Sequence, residues 1–243
     1  MYNFVAQIAF TIIAASALAL ATRFIVKQKV HFGYFAIAMA AFLVSALAML
    51  GGYQLQTAIP LLAGLQWNWV GKICATIAPL AFLTIPGGPG TKEAGITLQQ
   101  KTGSIGPALI AIALLCAFSW GVEIWANDGT DTGLKRLAFQ AIMPGISEEL
   151  FFRGILLALL MRAFDERWSL FQSPVGPAAA IVTFIFAAGH GFTFADGQFH
   201  FSALIFFVTG TLGFGLLWIR QRTGSILLPI LAHNLINIGN SFF

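Results

Sequence analysis

The chain has 243 residues, 58% of them hydrophobic and 9% charged, whereas an ordinary soluble domain carries roughly a quarter charged residues. That composition excludes a soluble domain and intrinsic disorder, and it predicts an integral membrane protein. The formal charge of +4 comes from 13 Lys and Arg scattered over short connecting segments, so it reads as a topology signal, and nucleic acid is excluded as an expected partner.

No Lys or Arg precedes the first apolar run, so the small residues from Ala15 to Ala21 are read as part of a first span and not as a signal-peptide cleavage region. A helix crosses the hydrocarbon core in about 20 mostly apolar residues. Eight such runs are expected: Phe4 to Thr22, Phe35 to Tyr53, Gln66 to Ile85, Ser104 to Ala126, Ala138 to Leu160, Val175 to Gly191, Phe201 to Ile219 and Ser225 to Phe243. The expected fold is therefore all-α, a polytopic bundle of about eight transmembrane helices, multi-pass in the cell membrane and surrounded by membrane lipid. Asn68 and Lys72 interrupt the third run, which leaves seven spans as an alternative; Lys72 lies near one end, from which its ammonium could snorkel to the interface. With eight spans, Arg23, Lys27, Lys29, Lys92, Lys101, Arg162, Arg167, Arg220 and Arg222 fall on one side and Lys135 and Arg136 on the other, which places the larger set in the cytoplasm. The polar stretch from Pro86 to Gly103 divides an N-terminal part, 1–103, from a C-terminal bundle, 104–243, that carries the chemistry.

Cys74 and Cys116 each lie in an apolar run and give no disulfide framework or thiolate zinc site. Charged groups inside spans cost a few kcal/mol each and are functional candidates by default. The fifth run holds three of them, in Ser147-Glu148-Glu149-Leu150-Phe151-Phe152-Arg153, just after Pro144 and Gly145. A helix kink or restart is expected there, with Ser147 as N-cap. Glu149 and Arg153 are four apart and share a helix face. Glu148 is rotated about 100° from Glu149 and has Phe152 as its i+4 neighbour, so its partner must come from elsewhere or it must be protonated. The plainer reading is that these three residues only lock helices together.

Two other runs supply polar groups. His190 ends the sixth, and His233 and Asn237 share one face of the eighth. A lone histidine in such a helix is commonly an interhelical hydrogen-bonding group, but Glu148, His190, His233 and Asn237 lie on three separate spans and can converge inside a bundle. His31, and His200 beside Asp196, fall in connections and are expected to be solvated, while Glu123 and Trp125 fit an interfacial anchor. A carboxylate and an imidazole within reach of one water can generate a nucleophile, and an amide with a second imidazole can stabilise the oxyanion that follows. Those are the parts needed to hydrolyse a peptide bond. No Ser or Cys stands next to a base in a comparable pattern, and no His-Glu-x-x-His helix is present.

Glu148-Glu149-x-x-x-Arg153, Phe186-x-x-x-His190 and His233-x-x-x-Asn237, in that order on successive segments, resemble the three motifs of the CPBP family, the CAAX proteases and bacteriocin-processing enzymes also called Abi. Thr223-Gly224-Ser225-Ile226 resembles the family's approach to the last motif, and the likeness covers about residues 137–240. It implies an eight-helix intramembrane endopeptidase similar to the type II CAAX prenyl endopeptidase, acting on a membrane-associated or prenylated hydrophobic peptide or protein. Carried over by position, Glu148 would be the general base, His190 would help activate water, and His233 with Asn237 would form the oxyanion site. Glu149 and Arg153 would complete and orient the motif.

The family is often labelled metalloprotease, while a metal-free glutamate mechanism has been proposed for its prenyl-endopeptidase members. One carboxylate and two imidazoles could bind a divalent metal such as zinc with an open position, or act on water directly. The metal-free route is favoured because an oxyanion role for His233 leaves too few ligands. Two further classes stay in view: a non-enzymatic membrane protein of the same family acting in bacteriocin immunity or partner stabilisation, and a small proton-coupled carrier, against which the lack of an internal repeat argues.

Overall fold

The computed structural model describes residues 2–126, 129–165 and 168–243; Arg167, counted above among the basic connecting residues, lies outside them. In chain order, the long helices α1 (Tyr2–Phe24) and α2 (Phe32–Ala58) are followed by the single turn α3 (Pro60–Ala63) and by α4 (Trp69–Ile77), which tightens into a 3-10 segment over Ala78–Leu83. A one-turn α5 (Gly90–Glu93) precedes α6 (Ile105–Ala126). Then α7 (Leu134–Glu148), a π-helical segment (Glu149–Leu156) and α8 (Leu157–Ala163) follow without a break. The rest of the chain forms α9 (Pro177–Gly191), α10 (Ala203–Thr223) and α11 (Leu227–Gly239), with the antiparallel hairpins β1 (Trp168–Leu170) with β2 (Ser173–Val175) and β3 (Phe192–Ala195) with β4 (Gln198–Phe201).

The architecture is a helical membrane bundle, and each of the eight expected runs contains a helix. Four helices, α1, α2, α6 and α10, are long and apolar enough to cross a membrane, whereas the apolar helices Trp69–Leu83, Pro177–Gly191 and Leu227–Gly239 are shorter. A helix of about 15 residues reaches only about 22 Å, against a hydrocarbon core of about 30 Å. Among the described residues, four helices reach full span length by this measure, and the expected count of eight is not confirmed. The runs continue in apolar character where the helices stop for backbone reasons: the Asn68 side chain caps α4 by accepting from the Gly71 N–H at 2.9 Å, and Pro177 opens α9.

The expected restart at Ser147 is also absent. The helix passes through Pro144 and Ser147, and the change of form comes at Glu149, where π-type winding begins. Such π segments are frequent at functional sites.

The π segment and α8 form the centre of the molecule. Ile155, Leu156, Leu159 and Leu160 have no exposed surface and pack with Ala15 and Ala19 of α1, Phe35 and Ala38 of α2, Val182 and Ile185 of α9, and Leu217 of α10. A second apolar cluster joins α6, α10 and α11 through Leu115, Cys116, Leu216, Ile219, Ala232 and Ile236. Large side chains such as Ile13, Leu114 and Phe207 point outward and are exposed, the arrangement suited to lipid.

Helices α2 and α4 approach each other backbone to backbone. A Cβ on Gly52 would lie 2.7 Å from the Gly71 Cα and 2.8 Å from the Val70 carbonyl oxygen. This contact sets the position of Lys72, the next residue of α4. Gly52→Val is expected to lower stability by about 1–3 kcal/mol through overpacking, read as a lower unfolding temperature in detergent. Gly51→Val, on the same helix with nothing within 4 Å of its Cβ, is the control expected to leave it nearly unchanged.

Candidate active site

The interior of the site is organised by one carboxylate. Glu149, at the start of the π segment, is wholly buried, and its Oε1 accepts from Arg153 Nη1 at 2.9 Å and faces His233 Nδ1 at 2.7 Å. Arg153 is equally buried, donates a second bond to the Gly213 carbonyl oxygen at 3.0 Å, and lies 4.2 Å from the Phe186 ring centroid. Because an ionised carboxylate can only accept, the hydrogen of the His233 ring is placed on Nδ1 and the imidazole is turned so that Nε2 faces outward. The expected i, i+4 pair is therefore present and acts on His233 as well.

Helix α11, which carries His233, is fixed on α7 by a buried bond from the Gly145 N–H to Asn234 Oδ1 at 2.8 Å. Gly145 is required there: a Cβ would lie 2.4 Å from Asn234 Oδ1 and 2.6 Å from the Ile230 carbonyl oxygen.

Glu148 ends α7 and points away from Glu149. Its partner comes from the N-terminal part of the chain, where the Lys72 ammonium of α4 forms an ion pair with Oε1. Lys72, which by position could snorkel to the interface, turns inward instead, where α4 packs on α2 at Gly52 and on α7. The other oxygen, Glu148 Oε2, is buried without a hydrogen-bond partner and lies 3.9 Å from His233 Nε2.

His190 sits at the end of α9. Its Nδ1 is 2.8 Å from the Phe186 carbonyl oxygen, an acceptor, so Nδ1 carries the hydrogen and the neutral ring presents a lone pair at Nε2. The adjoining turn is held by Gln7 of α1, whose amide donates to the carbonyls of Gly189 at 3.2 Å and Phe192 at 2.6 Å. Asn237 donates to Gln140 Oε1 at 3.2 Å and keeps its other amide hydrogen.

Two cavities meet at these groups. An apolar one of about 210 Å³ is lined by residues of α1 and α2, including Phe4, Ile8, Phe42 and Met49. The other, of about 480 Å³ and more polar in its wall, sets Gln140, His233, Asn237 and Asn240 among apolar side chains such as Leu212 and Ile236. Lys72, Glu148, Phe186 and His190 line both. The structure thus brings all four candidate residues of the sequence reading to one place. His31 and His200 are exposed, the latter on β4, while Glu123, read as an interfacial anchor, lines the polar cavity.

Lys72, Gln7, Gln140 and Asn234 went unassigned in the sequence. Only Lys72 left a signal, as a cation interrupting an apolar run; the other three are neutral amides whose role depends on what faces them.

The Lys72 ammonium occupies Glu148 Oε1 and Glu149 holds His233 Nδ1, and among the described residues no group of three His, Cys, Asp or Glu side chains is placed to hold a metal ion.

A family model described as type II CAAX prenyl endopeptidase Rce1-like matches residues 131–239. Neither a curated protein nor a solved structure matches the chain. The matched segment includes Glu148, Glu149, Arg153, His190, His233 and Asn237, while Lys72 and Gln7 come from helices outside it. The similarity to the Rce1-like family rests on residues 131–239, which supply the carboxylates, both imidazoles and the amide of this site.

Proposed function

We propose that the protein is a multi-pass endopeptidase of the cell membrane that hydrolyses a peptide bond in a membrane-associated or prenylated hydrophobic peptide, with Glu148 as general base. The observation that carries this reading is the position of Glu148 Oε2: a carboxylate oxygen without a partner, beside His233 Nε2, at the junction of an apolar and a polar cavity. The apolar cavity suits the hydrophobic part of a substrate, and the polar one admits water and the peptide to be cut.

In this reading one water donates to Glu148 Oε2 and is oriented by His190 Nε2. As its oxygen attacks the substrate carbonyl carbon, its proton passes to Glu148. The carbonyl π electrons move onto oxygen, and the resulting oxyanion is met by the free amide hydrogen of Asn237 and by His233 Nε2 when the ring carries both hydrogens. Glu148 then returns the proton to the leaving nitrogen as the C–N bond breaks, giving a carboxylic acid and an amine, which exchange a proton to leave as carboxylate and ammonium. Lys72 is a positioning residue that holds Oε1 and leaves Oε2 to react.

Glu148→Gln is expected to leave folding intact and to lower turnover by about 10²–10⁴-fold. The check is to compare protein termini in membranes containing wild type or variant at equal abundance. Termini found only with wild type support proteolysis and reveal the substrate, whereas matching profiles would favour the non-enzymatic reading. Lys72→Met should cost less, up to about 100-fold in kcat/KM from a misplaced carboxylate, with partial recovery in Lys72→Arg. Arg153→Leu strands the Glu149 carboxylate in the interior, so a loss of about 3–5 kcal/mol in stability is expected, seen as a lower unfolding temperature and a reduced folded yield.

A further inference from the structure

A cavity of about 900 Å³ lies away from the paired carboxylates, between the connection that runs from Thr91 to Lys101, α8, and the last turn of α10. Its charges do not balance. Among the described residues, Lys92, Lys101, Arg162 and Arg220 line it, and Glu93 is the one acidic lining residue. Glu93 is already neutralised by Arg162, which donates from Nε at 3.0 Å and from Nη2 at 3.1 Å. Among the described residues, Lys92, Lys101 and Arg220 remain without a counter-charge on this wall.

Arg220 decides how that excess is read. It is only 6% exposed, its Nη2 donates to a backbone oxygen, that of Glu93, and its Nε has no partner. A guanidinium buried to that degree is normally matched by a carboxylate or another anion. Lys101 is exposed as a residue, yet its ammonium reaches back to the Gln221 carbonyl oxygen at 3.1 Å. Partial desolvation, then the fields of Arg220 and Arg222, hold its amine below the ordinary lysine range.

Two plainer explanations fall short. The carbonyl end of α10 attracts cations, but a helix C-terminus offers about half an elementary charge against three. A topology signal for membrane insertion needs Lys and Arg in solvated connections, and Arg220 is buried.

We propose that this cavity binds a phosphate group, presented either by an anionic phospholipid or by a soluble phosphate ester. Thr91, Thr97 and Gln99 add neutral polar groups to the wall. Gln100 Oε1, also on the wall, is buried without a donor, which a hydroxyl next to the phosphate would supply. The lipid source has a second feature in its favour: on the same end of α10, Arg222 borders an apolar groove of about 610 Å³ lined by Pro107, Leu114, Leu115, Phe214 and Trp218, wide enough for an acyl chain.

The test uses the purified full chain in neutral detergent, titrated separately with phosphatidylglycerol, phosphatidylcholine and glycerol 3-phosphate, with bound ligand read by native mass spectrometry and by the unfolding temperature. Phosphatidylglycerol is expected to be retained and to raise the unfolding temperature, phosphatidylcholine is not, and Lys101→Gln is expected to weaken binding about tenfold through loss of a charge-assisted bond. Retention of glycerol 3-phosphate would support the site with a soluble ligand as its source. Lys92→Gln, at an exposed position, gives the same readout if the Lys101 variant does not fold. The proposal is overturned if wild type does not distinguish phosphatidylglycerol from phosphatidylcholine and retains no glycerol 3-phosphate, or if folded variants bind as wild type does.

Discussion

A carboxylate without exposed surface in a membrane bundle has to be matched on the spot, and Glu149 is such a group. Its Oε1 is met by Arg153 from the next turn and by His233 from α11. Arg153 in turn reaches the backbone of α10 at Gly213 and the ring of Phe186 on α9. One buried charge therefore ties four helical segments together and settles which way the His233 ring faces. The residue before it, Glu148, is left on a different side of the helix, directed at open space. The structural and the reactive carboxylate are adjacent in the chain because a single helical step separates an interior position from a cavity wall.

The site is completed from outside the segment that carries its motifs. Lys72 of α4 holds Glu148, and Gln7 of α1 secures the turn next to His190. Helices α1 and α2 supply part of the wall of the apolar cavity, so the N-terminal helices contribute both charge compensation and some of the hydrophobic surface that a membrane-associated peptide would meet. Their packing depends on small residues: the lack of a side chain at Gly52 lets α2 and α4 touch backbone to backbone, and that contact delivers Lys72 to its partner.

Electrostatically the two polar regions are opposites. Around the carboxylates each negative charge has a cation against it, Lys72 for Glu148 and Arg153 for Glu149, and the ring of His233 lies between them. At the end of α10 the one acidic lining residue among the described residues is spent on Arg162, and those residues give the remaining cations no acid of their own. The first arrangement is complete within the chain, whereas the second leaves positive charge for something outside it.

Much of the chemistry was legible in the sequence because it rests on local rules. The cost of a charge in an apolar run singled out Glu148, Glu149 and Arg153, and helical spacing separated the paired Glu149 from the unpaired Glu148. The same spacing grouped His233 with Asn237. Composition alone determined a helical membrane protein. What tertiary structure decided were the contacts and lengths that no local rule contains: that Lys72, 76 residues away in the chain, is the partner of Glu148; that His233 is aimed by Glu149; that helix α7 passes through Pro144 and changes form at Glu149; and that several apolar runs hold helices too short to cross a bilayer on their own. Hydrophobic runs report where a chain can leave water. Which helices approach closely enough to share a charge depends on side-chain volumes at crossings such as Gly52 with Gly71 and Gly145 with Asn234, and those pairings exist only once the bundle is packed.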